Sequence, residues 1–396
     1  MNTVELIFWI CLGIVFYTYI GYGILLYLLV KVKEHFVPRK PKEEIFEDDL
    51  PTVTMIVAAY NEYDIIEEKI KKTLALNYPP ERLLLTWITD GSTDRTNEIL
   101  AKYPMIEVLY QPERQGKAAA LNRAMCYVDT ELTIFSDANT MLGLDSIRKI
   151  VACFTDEYVG VVSGEKRVVG GENAGAAGEG EGLYWKYESA MKDLDSRLWS
   201  TMGAAGELFA LRTELYDPLE WDTLLDDFIV SMRIVARGFR IEYCPEAYAV
   251  ETGSANMEEE QKRKVRIAAG GLQSIWRLPQ MLNFFSHGVA TFQYLSHRVF
   301  RWSIAPLSLF AMLPLNLLAL IFSQGWSTVL YGIILICQLL FYYMGYRGYK
   351  LSQQKIKNKW LYVPYYFLFM NLNVIRGFSY LRKKRGSGVW EKAKRA

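Results

Sequence analysis

Three apolar runs in this chain end on acidic or amide side chains, and no other feature limits its fold so strongly. Residues 53–59 close on Tyr60-Asn61-Glu62, residues 83–89 on Asp90-Gly91-Ser92-Thr93-Asp94, and residues 132–136 on Asp137-Ala138-Asn139. A short apolar run that stops on such residues and hands over to a polar, helix-like stretch is how a parallel strand runs into a helix. Taken singly, each tip is also what an ordinary strand-to-helix turn looks like. Together they matter more, because ligands of open α/β sheets collect at the carboxyl ends of the strands. Asp137 and Asn139 add a specific chemistry: two oxygen ligands side by side suit a hard divalent cation carrying a diphosphate.

The order and spacing of Ala59-Tyr60-Asn61-Glu62, Thr89-Asp90-Gly91-Ser92-Thr93-Asp94, Gly116-Lys117-Ala118-Ala119-Ala120-Leu121-Asn122 and Asp137-Ala138-Asn139 resemble glycosyltransferase family 2. These are inverting nucleotide-sugar transferases of GT-A fold, among them cellulose, hyaluronan and chitin synthases. The resemblance covers residues 51–271 and implies an α/β, Rossmann-like GT-A domain. It implies that Tyr60, Glu62 and Asp90 read the base and ribose of the nucleotide, taken as uridine diphosphate, and that Lys117 reaches the same nucleotide. Asp137 and Asn139 would hold Mg²⁺ or Mn²⁺; family members usually carry a second Asp where Asn139 stands.

Downstream the match is looser. Leu225-Asp226-Asp227 stands where the family reads Thr-Glu-Asp, which makes Asp227 the expected catalytic base and Asp226 a supporting cap on the acceptor side. Capping alone also explains two carboxylates at a helix start. Gly203-Ala204-Ala205-Gly206 and Glu207 match the floor of the acceptor site, so Gly206 and Glu207 are expected to meet the acceptor. Gln261 matches the first residue of the family's Gln-x-x-Arg-Trp, Lys264 replaces its Arg and Val265 its Trp. Lysine keeps the charge without the bidentate fork, and valine removes the aromatic surface family members set against the acceptor sugar. Gln261, Arg263 and Lys264 are expected over the diphosphate.

The rest follows from composition and charge placement. With 396 residues, 51% of them hydrophobic, there is room for one ordinary domain plus membrane segments. Residues 6–30 carry no charge and are long enough to cross a bilayer, and no basic residue precedes them as in a signal peptide. Lys31, Lys33, Arg39, Lys40 and Lys42 follow, so the N-terminus is expected outside and the remainder in the cytoplasm. Residues 302–346 are uncharged and break at 323–327, which reads as two spans. Aromatic and basic residues interleave over 267–301, as in helices lying in the bilayer interface. Residues 360–380 read as an interfacial or re-entrant helix, the alternative being a further span, and the basic 382–385 stays inside. The division is therefore 1–50, 51–266, 267–301, 302–346 and 347–396. The glycine-rich 170–182 reads as a flexible surface loop, a substrate lid being the alternative.

The net charge of +1 favours neither nucleic acid nor a polyanion as partner. Cys11, Cys126, Cys153, Cys244 and Cys337 lack metal-ligand or disulfide spacing and read as buried hydrophobes in a reducing compartment. The expectation is an integral membrane glycosyltransferase of a bacterial or archaeal plasma membrane, using a nucleotide sugar and a polysaccharide or lipid acceptor. A catalytically inactive membrane scaffold is the rival from another class.

Overall fold

The computed structural model describes residues 2–39, 45–169, 176–353 and 358–383. The strands are β1 Val53–Ala59, β2 Leu83–Asp90, β3 Ile106–Gln111, β4 Leu132–Asp137, β5 Met141–Leu142, β6 Val159–Val169, β7 Leu208–Arg212 and β8 Arg240–Thr252. They form one mixed sheet in the order β3-β2-β1-β4-β7-β6-β8-β5. From β1 the chain steps outward through β2 and β3 by parallel pairing, then returns to lay β4 parallel on the other side of β1. The order reverses between β1 and β4, and a crevice opens outside their carboxyl ends. The register sets Ala59 beside Thr89 and Ala58 beside Asp137, so Tyr60, Asp90 and Asp137 share one edge.

Strand β1 is apolar on both faces because both are covered. Val53, Met55 and Val57 pack with Trp87 and Ile134 on one side, and Ile56 packs with Ile88 and Phe135 on the other. Strands β6 and β8, 11 and 13 residues long, have no counterpart in the sequence reading. Their pairing shifts register between Gly164 and Glu165, opposite a segment containing Pro245, so the alternation that marks a strand is interrupted. A Cβ on Gly164 would lie 2.9 Å from the Ala247 carbonyl oxygen, which is why a glycine stands at the irregularity.

The helices are α1 Thr3–Phe36, which includes the π-turn Tyr17–Gly21, then α2 Tyr63–Leu74, α3 Thr96–Leu100, α4 Lys117–Met125, α5 Ser146–Val151 and α6 Ala176–Leu198. They continue as α7 Asp226–Ala236, α8 Met257–Arg277, α9 Ile304–Phe322, α10 Trp326–Gln353 and α11 Lys359–Lys383, with short turns between 279 and 302. Among the described residues three helices are long and apolar enough to cross a membrane: Thr3–Phe36, Ile304–Phe322 and Trp326–Ser352. Helix α11 is continuous through Pro364 and packs against α8 and α10, with Gly348 against the Leu361 carbonyl and Gly377 against Ala268.

Two expectations change. Residues 170–175 of the expected loop lie outside the described residues, but from Ala176 onward the chain is helical. Alanine and glutamate between the glycines favour helix, and the turns that follow are anchored by packing of Met191 and Leu194 on α1. The expected division at 266 falls inside α8, which runs unbroken to Arg277.

Candidate active site

A cavity of about 680 Å³ opens where β1, β2 and β4 end, and it extends to the helices that flank the domain. At the nucleotide end the turns after β1 and β2 are tied together. Asn61 adopts a left-handed conformation (φ 52°), and its Oδ1 accepts from the Thr93 amide at 2.8 Å. Asp94 accepts from the Tyr63 and Thr96 amides, both at 3.0 Å, so this carboxylate closes turns. Asp90 is buried and accepts from the amides of Gln115 (3.0 Å) and Gly116 (2.7 Å). It therefore shapes the loop that delivers Lys117 besides lining the cavity. Gly116 needs its φ of 96° to turn into α4. The Arg114 guanidinium lies 3.8 Å from the centre of the Tyr60 ring, and Glu62 lines the same wall.

At the centre Lys117 Nζ lies 2.9 Å from Asp137 Oδ1 and 3.1 Å from Asp226 Oδ2. Burial works against this ammonium, but Asp137 and Asp226 outweigh it and hold Lys117 above the ordinary lysine range. Asp226 is thus an ion-pair partner and not the cap expected from its place at a helix start. A cation at 3.1 Å is a stronger partner than a free helix amide. Leu225 occupies the cap position without a side-chain bond, and it is Asp227 Oδ1 that accepts from a first-turn amide, that of Phe228 at 2.8 Å. Burial first, then the charge of Asp226, push the Asp227 carboxyl up to about 7, with Lys117 pulling the other way. A Cβ on Gly206 would come 3.0 Å from Asp227 Oδ2, so the glycine keeps space in front of this carboxylate.

Glu207 pairs with Lys166 at 2.6 Å. Burial opposes the ionised carboxylate, but Lys166 overrides it and holds Glu207 well below the usual range. Arg263 lies 3.5 Å from Glu251 and 3.4 Å from Glu260, and Lys264 lies 3.5 Å from Glu260. Burial raises Glu260, yet Arg263 and Lys264 pull it down to about 2. Arg263 and Lys264 both line the cavity. Gln261 does not join them. It projects from another side of α8 into a separate cavity of about 450 Å³ with Phe310, Tyr342 and Tyr365, since residues two apart on a helix, as Gln261 and Arg263 are, point to opposite sides.

Asp137 and Asn139 line the cavity together. Among the described residues no three His, Cys, Asp or Glu side chains converge to hold a metal. The protein thus offers one carboxylate and one amide oxygen, a donor set that fits Mg²⁺ or Mn²⁺ when substrate phosphates complete the shell.

The far wall was not legible in the sequence. Arg298 and Arg301 reach Glu188 at 2.6 and 3.1 Å, His297 bridges Glu188 and Asp195, and Tyr22 of α1 donates to Asp195 at 2.5 Å. Burial opposes the Glu188 charge, but Arg298 and His297 hold its carboxyl well below the ordinary range. Trp185, Tyr187 and Trp302 face the cavity beside this network. The interleaved basic and aromatic residues near 300 were a signal, but they pointed equally to a bilayer interface.

Comparison with known proteins agrees with this fold. Residues 54–219 match the family model for glycosyl transferase family 2. The chain is 28% identical over 254 residues to poly-beta-1,6-N-acetyl-D-glucosamine synthase of Staphylococcus aureus, covering 62% of this chain and 59% of that protein. It is 28% identical over 254 residues to the beta-monoglucosyldiacylglycerol synthase of a Nostoc species, covering 60% of this chain and 52% of that protein. It thus matches little more than half the length of either relative. Among solved structures, the mannosyltransferase PcManGT of Pyrobaculum calidifontis, in complex with GDP-Man and Mn²⁺, superposes with a TM-score of 0.68 at 21% identity, over 96% of this chain and 99% of that one. The chain therefore carries a glycosyltransferase family 2 domain on a GT-A fold, beside helices long and apolar enough to span a membrane.

Proposed function

We propose that this protein moves a sugar from a nucleotide sugar, taken as a uridine diphosphate sugar, to an acceptor hydroxyl, with inversion and in polysaccharide synthesis. The observation that carries this reading is the central cluster, in which Lys117 joins Asp137 to Asp226 and the half-buried Asp227 stands beside them near neutrality. In a single displacement the acceptor oxygen bonds to the anomeric carbon as the bond to the diphosphate breaks. Asp227 accepts the proton that the acceptor hydroxyl loses. A carboxylate near pH 7 is a stronger base than an ordinary one and is still substantially ionised at neutral pH. Lys117, Arg263 and Lys264 supply positive charge toward the departing diphosphate. Tyr60 and Arg114 form a flat surface for the base of the nucleotide. Asp137 and Asn139 would hold Mg²⁺ or Mn²⁺, which when bound offsets diphosphate charge. The name of the Staphylococcus relative supports a polymer product.

A second reading, transfer to a lipid, is favoured by one feature. The half of the cavity away from the nucleotide is lined by Tyr19, Phe367, Met370 and Val374, side chains of membrane-flanking helices suited to an acyl chain. The name of the Nostoc relative supports it too. In either case the basic residues in the last turns of α1 and just beyond it support a catalytic domain on the cytoplasmic side.

The test is nucleoside diphosphate release by purified protein with Mn²⁺, across UDP-glucose, UDP-N-acetylglucosamine, UDP-galactose and GDP-mannose. Turnover of a UDP sugar that is lost on Asp137→Ala is expected. Turnover of none would overturn the reading, and turnover of GDP-mannose alone would overturn the choice of uridine.

A further inference from the structure

We propose that Lys69 is a positioning residue for the metal–diphosphate site: from inside the core it fixes the loop that presents Asp137 and Asn139, and it ties that loop to the floor of the acceptor side. This rests on the glycosyl-transfer reading above.

Lys69 stands in the middle of α2, one turn after Ile66 and beside Ile70, on the face that packs against the sheet. Helical spacing calls for an apolar side chain there, and a lysine is almost never fully buried without a partner charge. Lys69 is only 1% exposed, and among the described residues no carboxylate lies within ion-pair distance of it. Its Nζ donates instead to Ser136 Oγ and to the Thr140 carbonyl, both at 2.7 Å. These two acceptors bracket the loop, since Ser136 precedes Asp137 and Thr140 follows Asn139. Burial brings the ammonium down to about 7, with Asp137 pulling the other way. The charged and the neutral form both carry enough hydrogens for the two bonds, so the arrangement does not depend on which is present.

The bonds beyond Lys69 carry its effect further. Ser136 Oγ accepts from Lys69, which leaves its own hydrogen for another acceptor, and the Glu207 carbonyl lies 3.2 Å away. Thr140 Oγ1 donates to the Asp137 carbonyl at 2.9 Å and closes the loop on itself. Glu207 lines the cavity on the acceptor side, where its carboxylate meets Lys166. Helix α2 begins directly after Glu62, on the nucleotide wall. One side chain thus connects the nucleotide wall, the metal loop and the acceptor floor. Lys117 meets the Asp137 carboxylate from the cavity side, while Lys69 holds the ends of the same loop from the core side.

Filling the core does not explain a lysine here. Methionine has similar length and no polar group to bury, and an amine without a counter-charge is a costly way to occupy the space. What lysine adds is a pair of bonds to both ends of the ligand loop. Such outer partners of metal ligands set metal affinity by about 10–100-fold.

The test uses the full-length protein in detergent and reads thermal stabilisation by UDP as Mn²⁺ is titrated, which requires no turnover. Lys69→Met should raise the Mn²⁺ concentration for half-maximal stabilisation by about tenfold or more, with the loss recovered at saturating Mn²⁺. Lys69→Gln keeps two amide hydrogens on a shorter stem and should fall between Lys69→Met and wild type. Ser136→Ala removes one acceptor and the link to Glu207, so it should raise the Mn²⁺ requirement and the acceptor KM together. A lowered Tm with an unchanged Mn²⁺ requirement in Lys69→Met overturns the inference, as does wild-type UDP stabilisation that ignores Mn²⁺. If Lys69→Met does not fold, Lys69→Gln and Ser136→Ala decide on the same readout, and an unmoved Mn²⁺ requirement in both overturns it. A Mn²⁺ requirement that depends on Lys69, in a protein that turns over no sugar donor, would refute the proposed function and leave this role of Lys69 standing.

Discussion

Asp227→Asn should make the protein more stable and nearly inactive, with a pH dependence that identifies the cause. The carboxyl is displaced from the ordinary 3.8 to about 7, which at about 1.4 kcal/mol per pH unit corresponds to roughly 4 kcal/mol of folding stability withheld at pH 7 and above. The sign follows from proton binding. Between pH 4 and 7 the native state keeps a proton that the unfolded chain has released, so raising pH through this window lowers wild-type stability. Asparagine has no charge to bury. The variant should therefore match wild type near pH 4 and pull ahead steadily up to about pH 7, beyond which the gap stays constant. Thermal unfolding of both proteins in detergent from pH 4.5 to 8.5 reads this directly, the expected gap at pH 8 being several degrees. Transfer should fall by about 10²–10⁴-fold while nucleotide stabilisation persists. A gap of constant size across the pH range, or a variant less stable than wild type at pH 8, would refute the burial argument.

Other consequences can be measured with the same preparations. Lys117→Met removes the charge that pulls Asp227 down, so the alkaline-rising limb of kcat/KM should move up by about one pH unit and UDP stabilisation should weaken; an unmoved limb would mean that Asp227 is not the group titrating. Gln261→Ala should leave UDP stabilisation at the wild-type value, because its side chain lines the other cavity; a loss of nucleotide affinity would place Gln261 back over the diphosphate. Gly203→Ala meets both a φ of 93° and the Phe228 ring at 2.2 Å, and should cost about 2 kcal/mol or more, visible as a lowered Tm. A cysteine in place of the exposed Trp276, in a cysteine-free background, should escape an impermeant maleimide added outside intact cells; rapid labelling would reverse the proposed orientation.

The parallel half of the fold was readable because its strands are short, apolar and closed by polar tips. Strands β6 and β8 were not, since a register shift and Pro245 break their alternation. The same limit applies within the site. Spacing brought Tyr60, Asp90, Lys117, Asp137 and Asp227 into view, and all five line one cavity. Spacing could not say that Lys117 would pair with Asp226, since those residues are 109 positions apart and meet only when α4 and α7 converge. That pairing separates the roles of two adjacent aspartates. Nor could it separate Gln261 from Arg263, which required knowing how α8 is rotated against α11. Trp302 and the Glu188 network come from segments whose composition fits a bilayer interface equally well.

The central claim is a single displacement at the anomeric carbon with one carboxylate, Asp227, as base, and the configuration of the transferred sugar tests it most directly. With an α-linked UDP sugar as donor, the one-bond C–H coupling at the new anomeric centre, read by NMR on the isolated product, should report a β linkage. An α linkage would contradict the account, because retention requires a different path from the one this cluster is arranged to support.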